Sequence, residues 1–188
     1  MKTRKPTAWS SEKSVELYGF ARWGGGHFSV DGKGFVRVHP LGDERAIRIA
    51  DVIEEAGGKG LSAPFTVRFQ DLLHKRVHKL NEVFAKAIAE EGYTGTYRGV
   101  FPIKVNQLRE VVEEILEAGR PYGFGLECGS KAELVATLPH LDDDETLLIC
   151  NGYKDEAMLR LMLTFQGLGK NIVPVVEKSN EFDMLTRL

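Results

Sequence analysis

Cysteine is scarce in this 188-residue chain: only Cys128 and Cys150 occur, without Cys-x-x-Cys spacing. That argues against a disulfide-stapled scaffold and against a thiolate zinc site. Charge of one sign is lacking too. A net −2 at neutral pH leaves no basic footprint for nucleic acid or an anionic membrane. No apolar run approaches bilayer-spanning length, and the basic start (Lys2, Arg4, Lys5) is not followed by the apolar stretch of a secretory signal. Internal repeats and low-complexity tracts are missing as well. The chain reads as a soluble, cytoplasmic protein that engages neither nucleic acid nor membrane. With 43% hydrophobic and 28% charged residues it is long enough to bury a real core.

What is present falls into three parts. Residues 1–14 are polar and contain Pro6, which suggests a mobile arm. Residues 15–46 have a β texture. Tyr18, Phe20 and Arg22 alternate with Gly19, Ala21 and Trp23, and the runs 27–30 and 35–38 flank Asp31-Gly-Lys-Gly34, a hairpin signal. Gly24-Gly-Gly26 is followed by no helix pattern, so it reads as a bend between strands rather than a phosphate-cradling loop. From residue 47 onward helix and strand patterns alternate. A short helix over Ile47–Ala56 closes at Gly57-Gly58, and a long apolar stripe runs from Phe69 through Ile88 to Gly92. His74 and His78 stand on that stripe at i, i+4. They lack the intervening glutamate and third ligand of a metal site, so they read as ordinary helix histidines.

Regular strand–helix units come next. The strands are expected over Tyr97–Val105, Tyr122–Cys128, Thr146–Cys150 and Asn171–Glu177. Ser130-Lys-Ala-Glu133 forms a capping box, and Asn151-Gly152 turns into the following helix. Repeated units with short loops imply parallel strands joined by right-handed crossovers, in either a barrel or a doubly wound sheet. No Gly-x-Gly-x-x-Gly turn follows the first strand, which argues against a dinucleotide-binding sheet. Asp142-Asp-Asp-Glu145 reads as a solvated turn, and the two cysteines as small buried hydrophobes at strand ends.

Lys104 stands at the C-terminal end of the first of these strands, where parallel α/β folds place their chemistry. The plain alternative is a lysine whose stem is covered and whose ammonium reaches solvent. Lys131 and Lys154 compete with it. Both are expected in exposed first turns of helices, where a cation opposes the helix dipole. Asn106, beside Lys104, is a candidate cap for the helix that follows.

Phe101-Pro-Ile-Lys-Val-Asn-Gln107 resembles the cofactor-lysine motif of the biosynthetic arginine decarboxylases, pyridoxal-phosphate enzymes of the alanine-racemase and ornithine-decarboxylase type. Three further blocks carry the same resemblance in the same order. They are Gly125-Leu-Glu-Cys-Gly-Ser-Lys-Ala-Glu133, Cys150-Asn-Gly-Tyr-Lys-Asp155 and Val176-Glu-Lys178. The segment Tyr18–Phe28 is similar to the family's N-terminal aromatic block, with His27 where tyrosine is expected; Cys128 likewise replaces an alanine.

The resemblance implies an α/β fold, with residues 47–188 as the N-terminal portion of a pyridoxal-phosphate-binding (β/α)8 barrel that ends mid-barrel. Residues 15–46 would belong to a separate β-domain. It implies that Lys104 Nζ carries pyridoxal 5'-phosphate covalently as a Schiff base, and that Glu127 lies beside the cofactor. L-arginine would be decarboxylated to agmatine and CO2, the first step of a route to putrescine and spermidine. It implies a homo-oligomer, dimer or tetramer, with the active site shared between subunits. Magnesium is associated with such enzymes by resemblance alone, since no metal site is visible in the residues. The phosphate-binding glycines, the ring-nitrogen carboxylate and the cross-subunit cysteine are expected beyond Leu188, leaving this portion alone inactive. A sibling acting on ornithine, lysine or diaminopimelate, or a non-catalytic relative, would share the same lysine.

Overall fold

The computed structural model describes residues 8–188. The chain divides into two compact units, one ending at Leu72 and the other running Leu73–Leu188.

The first unit opens on helices where the sequence suggests an arm and then a strand. Helix α1 spans Ser11–Leu17, with Ser10 accepting from the Lys13 amide, and α2 is a single turn, Phe20–Trp23. The expected mobility of residues 1–7 lies outside the described residues. The alternation at Tyr18, Phe20 and Arg22 misleads because Phe20 and Trp23 also stand i, i+3, one above the other on a helical turn. Gly19, at φ 65°, reverses the chain between the two helices. Trp23 packs against Phe20 and Phe28, its ring 4.9 and 5.0 Å from theirs. The glycine run therefore bends from a helix into a strand.

The expected hairpin is present. Strands β1 (Phe28–Val30) and β2 (Val36–Val38) pair antiparallel, and Asp31 Oδ1 accepts from the amides of Lys33 and Phe35 in the turn. A third antiparallel strand, β3 (Ile47–Arg48), takes the first two residues of the expected helix, so α3 runs Ile49–Gly58. Helix α4 covers Gln70–Glu90, as its apolar stripe predicts.

In the second unit, β4 (Val100–Pro102), β5 (Gly125–Cys128), β6 (Leu148–Cys150) and β7 (Ile172–Pro174) form one parallel sheet in sequential order. Helices α5 (Arg109–Gly119), α6 (Lys131–Thr137), α7 (Glu156–Gly167) and α8 (Ser179–Leu185) follow the successive strands. Period-two alternation sorts the sheet residues. Leu126, Cys128, Leu148, Cys150 and Ile172 join Val112, Leu134, Met158, Leu159 and Met162 of the helices in one buried core. The register row Pro102–Glu127 and Glu127–Ile149–Val173 lies on the opposite face. Burying one core leucine such as Leu126 stabilises the fold by about 2–3 kcal/mol.

Other expectations resolve locally. His74 Nε2 pairs with Glu114 at 2.5 Å while His78 Nδ1 meets Tyr122 Oη at 2.8 Å, so the two histidines serve different contacts. No cluster suited to a metal ion occurs among the described residues. Asp143 Oδ1 accepts from the amides of Glu145 and Thr146 and from the Thr146 hydroxyl, confirming a turn. Among the described residues no helix is long and apolar enough to cross a membrane.

Candidate active site

The first strand stops earlier than its pattern suggests. Pro102 has no amide to donate, β4 is an edge of this sheet, and the chain passes into a 3-10 turn over Ile103–Val105. A turn of period three breaks the alternation expected there. Ile103 is driven into the core, whereas Val105 is 69% exposed. Lys104 sits in the middle of this turn, exposed, and makes no hydrogen bond or ion pair among the described residues. Asn106 Oδ1 accepts from the Leu108 amide at 3.1 Å, so it shapes the turn before α5 rather than capping the helix itself.

Glu127 lies on the neighbouring strand, in register with Pro102, two residues before Lys104. Unlike the lysine it is buried, 5% exposed. Its Oε1 accepts from Asn151 Nδ2 at 2.9 Å, and its Oε2 is buried without a partner among the described residues. A buried carboxylate oxygen left unsatisfied is costly, and such atoms concentrate where a further group is to be met. The structure thus brings a free primary amine and an under-satisfied carboxylate to the C-terminal ends of adjacent parallel strands.

The turns after β5 and β6 meet closely. Gly152, at φ 74°, brings its Cα against the Gly129 carbonyl; a Cβ there would stand 2.0 Å from that oxygen. The Asn151 amide donates to the Cys128 carbonyl at 2.8 Å. Ser130 caps α6 by accepting from the Glu133 amide, while Glu133 reaches back one residue past the usual capping-box partner, to the Gly129 amide at 2.7 Å.

Lys154 corrects the sequence reading. Rather than standing exposed in a first helical turn, it precedes the Asp155 N-cap of α7 and its side chain is 0% exposed. Its Nζ donates to the carbonyls of Gly152 at 2.6 Å and Val175 at 2.5 Å. Glu181 Oε2 lies 3.8 Å away. Burial works against the charge on Glu181, but the Glu177 and Lys154 amides and the Lys154 ammonium prevail and hold it below its ordinary value. No local pattern announces this pair, because its partners belong to different strand–helix units. Lys131 is exposed as expected and bonds Asp155 at 2.7 Å.

The cysteines do not line the site. Cys128 and Cys150 are register partners on the helix-facing side, Sγ to Sγ 3.6 Å, both fully buried. Donation to Cys150, reinforced by burial, pushes the Cys128 thiol up, while accepting that bond holds Cys150 below its ordinary value. Their full burial in the helix-facing core makes both part of the packing.

Lys104 and Glu127 suit pyridoxal phosphate. Lys104, an amine free of competing partners among the described residues, would hold the cofactor through its aldehyde. Glu127, with an unpaired carboxylate oxygen on the adjacent strand, would serve as a proton acceptor on that side.

No family model matches the chain. It is 42% identical over 186 residues to the biosynthetic arginine decarboxylase of Parasynechococcus marenigrum (strain WH8102), covering 98% of this chain and 29% of that protein. The enzyme of the same name from Synechococcus sp. (strain RCC307) is 44% identical over 174 residues, 92% of this chain and 27% of its own. The crystal structure of the Campylobacter jejuni biosynthetic arginine decarboxylase superposes with a TM-score of 0.83 at 30% identity, covering 90% of this chain and 28% of that one. The chain therefore spans a little over a quarter of the length of the relatives it matches.

Proposed function

We propose that this chain, related to the biosynthetic arginine decarboxylases along nearly its whole length, carries the cofactor lysine for decarboxylating L-arginine to agmatine and CO2. The observation that carries the reading is the pairing of Lys104 with Glu127. A partner-free amine stands at one strand end, and a buried carboxylate with an open oxygen stands on the next strand. Lys104 is the point of covalent attachment for pyridoxal 5'-phosphate. When bound, that cofactor accepts the electron pair left behind by departing CO2. Glu127, buried on the adjacent strand with one unpaired oxygen, takes up a proton from the Lys104 side of the site, and its burial keeps water from competing for that role.

The sequential, unreversed order of the four strands supports reading residues 47–188 as part of a (β/α)8 barrel. The three-stranded antiparallel sheet supports a separate β-segment ahead of the parallel sheet, and its third strand, Ile47–Arg48, carries that segment past residue 46. A cytoplasmic homo-oligomer with a shared site and a place in polyamine synthesis accompany this reading, on the likeness to the relatives alone.

The test is CO2 release from L-arginine by the native protein containing this chain, with pyridoxal phosphate supplied and ornithine, lysine and diaminopimelate run in parallel. Arginine-selective release that disappears in Lys104→Ala supports the proposal. Release from another substrate moves the specificity, and full activity in Lys104→Ala refutes the lysine.

A further inference from the structure

We infer that Asn151 is a positioning residue for Glu127: its amide fixes which carboxylate oxygen is held by the protein and which is left open. This rests on the functional reading above. Among the described residues Asn151 Nδ2 supplies the hydrogen bond that Glu127 Oε1 accepts, at 2.9 Å, while Oε2 has no partner. A carboxylate only accepts, so the amide must present its NH2 end, and the direction of this bond is settled by chemistry. Without that donor the carboxyl group is free to rotate, because its terminal torsion is broad and roughly two-fold.

Asn151 can act in this way only if it is itself immobile, and the structure braces it from three directions. Its own amide is tied to the Cys128 carbonyl at 2.8 Å, on the strand that carries Glu127. The next residue, Gly152, is in the left-handed region and donates to Glu177 Oε1 at 2.5 Å. The Gly152 carbonyl then accepts from Lys154 Nζ, which also binds the Val175 carbonyl beyond β7 and faces Glu181. Burying a lysine is expensive. Here the buried ammonium stitches the turn after β6 to the turn after β7, and Asn151 stands at the end of that stitch nearest Glu127. The Lys154–Glu181 pair, used nowhere in the proposed chemistry, thereby acquires a purpose.

The experiment compares unmutated protein, Asn151→Ala, Asn151→Asp, Glu127→Ala and Asn151→Ala/Glu127→Ala, each checked for folding by circular dichroism. Measured are pyridoxal phosphate affinity, the absorbance of bound cofactor against pH, and the residue labelled by cofactor after borohydride reduction. Asn151→Ala is expected to weaken cofactor binding about tenfold and to displace the pH profile. In the Glu127→Ala background it should add nothing, because the two residues act as one unit. Asn151→Asp keeps the volume but removes the donor and sets like charge against like. It should displace the profile further, and it provides the same test if the alanine variant does not fold. An unmoved profile in a folded variant, or an undiminished Asn151→Ala effect in the Glu127→Ala background, overturns the inference. If borohydride labels no Lys104 in the unmutated protein, the functional reading fails and this inference with it. Labelling of Lys104 with an unresponsive profile removes the positioning role alone.

Discussion

Lys154 and Glu181, 27 residues apart, form an ion pair whose side chains are 0% and 1% exposed, and Glu181 also accepts from the Lys154 and Glu177 amides at 2.9 Å. Removing one partner strands the other charge in the core. Glu181→Ala should cost about 3–5 kcal/mol in a urea or guanidinium unfolding experiment. Replacing both by apolar residues, Lys154→Met with Glu181→Leu, should cost much less, because no uncompensated charge remains. Equal losses in the single and double variants would show that the pair acts through packing alone.

The same carboxylate makes stability pH-dependent. Glu181 lies below its ordinary value of 4.5 in the folded protein, so it binds protons less readily folded than unfolded. Its contribution is present above that ordinary value and is lost as pH falls through the lower folded one. Melting temperature measured downward from neutral pH should fall in that acid window, and the fall should be shallower in the Lys154→Met/Glu181→Leu double variant.

Gly152→Ala should be disproportionately harmful for a one-carbon change. The residue has φ 74°, and the added Cβ would lie 2.0 Å from the Gly129 carbonyl oxygen. Left-handed strain alone is worth about 1–3 kcal/mol, and the backbone clash adds to it. Thermal denaturation checks the stability loss.

Lys104→Ala should separate function from folding. The side chain is exposed and partner-free among the described residues, so stability should change by less than about 0.5 kcal/mol while cofactor attachment is lost. A large drop in melting temperature would mean that the lysine has a structural role instead.

Glu127→Gln should show the opposite sign in stability and activity. The amide keeps an oxygen for Asn151 but removes a buried charge with one unsatisfied oxygen. Melting temperature should hold or rise, while turnover falls by about 10²-fold or more if Glu127 moves a proton. Unchanged turnover and cofactor affinity would retire the residue from the site.

The legible parts of this protein are those encoded by neighbours in sequence. The 3.6-residue stripe of α4, the Ser130 cap and the Asp31 hairpin turn each follow from residues within a few positions of one another. Local pattern misled where two periods fitted the same letters. Phe20 and Trp23 satisfied both alternation and a helical turn, and the strand pattern through Val105 gave way to a 3-10 turn after Pro102. The sequence by itself determined the strand–helix alternation, because hydrophobic period is a local property. Its resemblance motifs singled out Lys104 and Glu127, although Lys104 lies in the 3-10 turn just past its strand rather than on it. Only the tertiary structure decided that Lys154 is buried, that Asn151 holds Glu127, and that one carboxylate oxygen is left open. Those facts arise from register between parallel strands, which brings together residues such as Glu127 and Asn151, separated by a whole strand–helix unit.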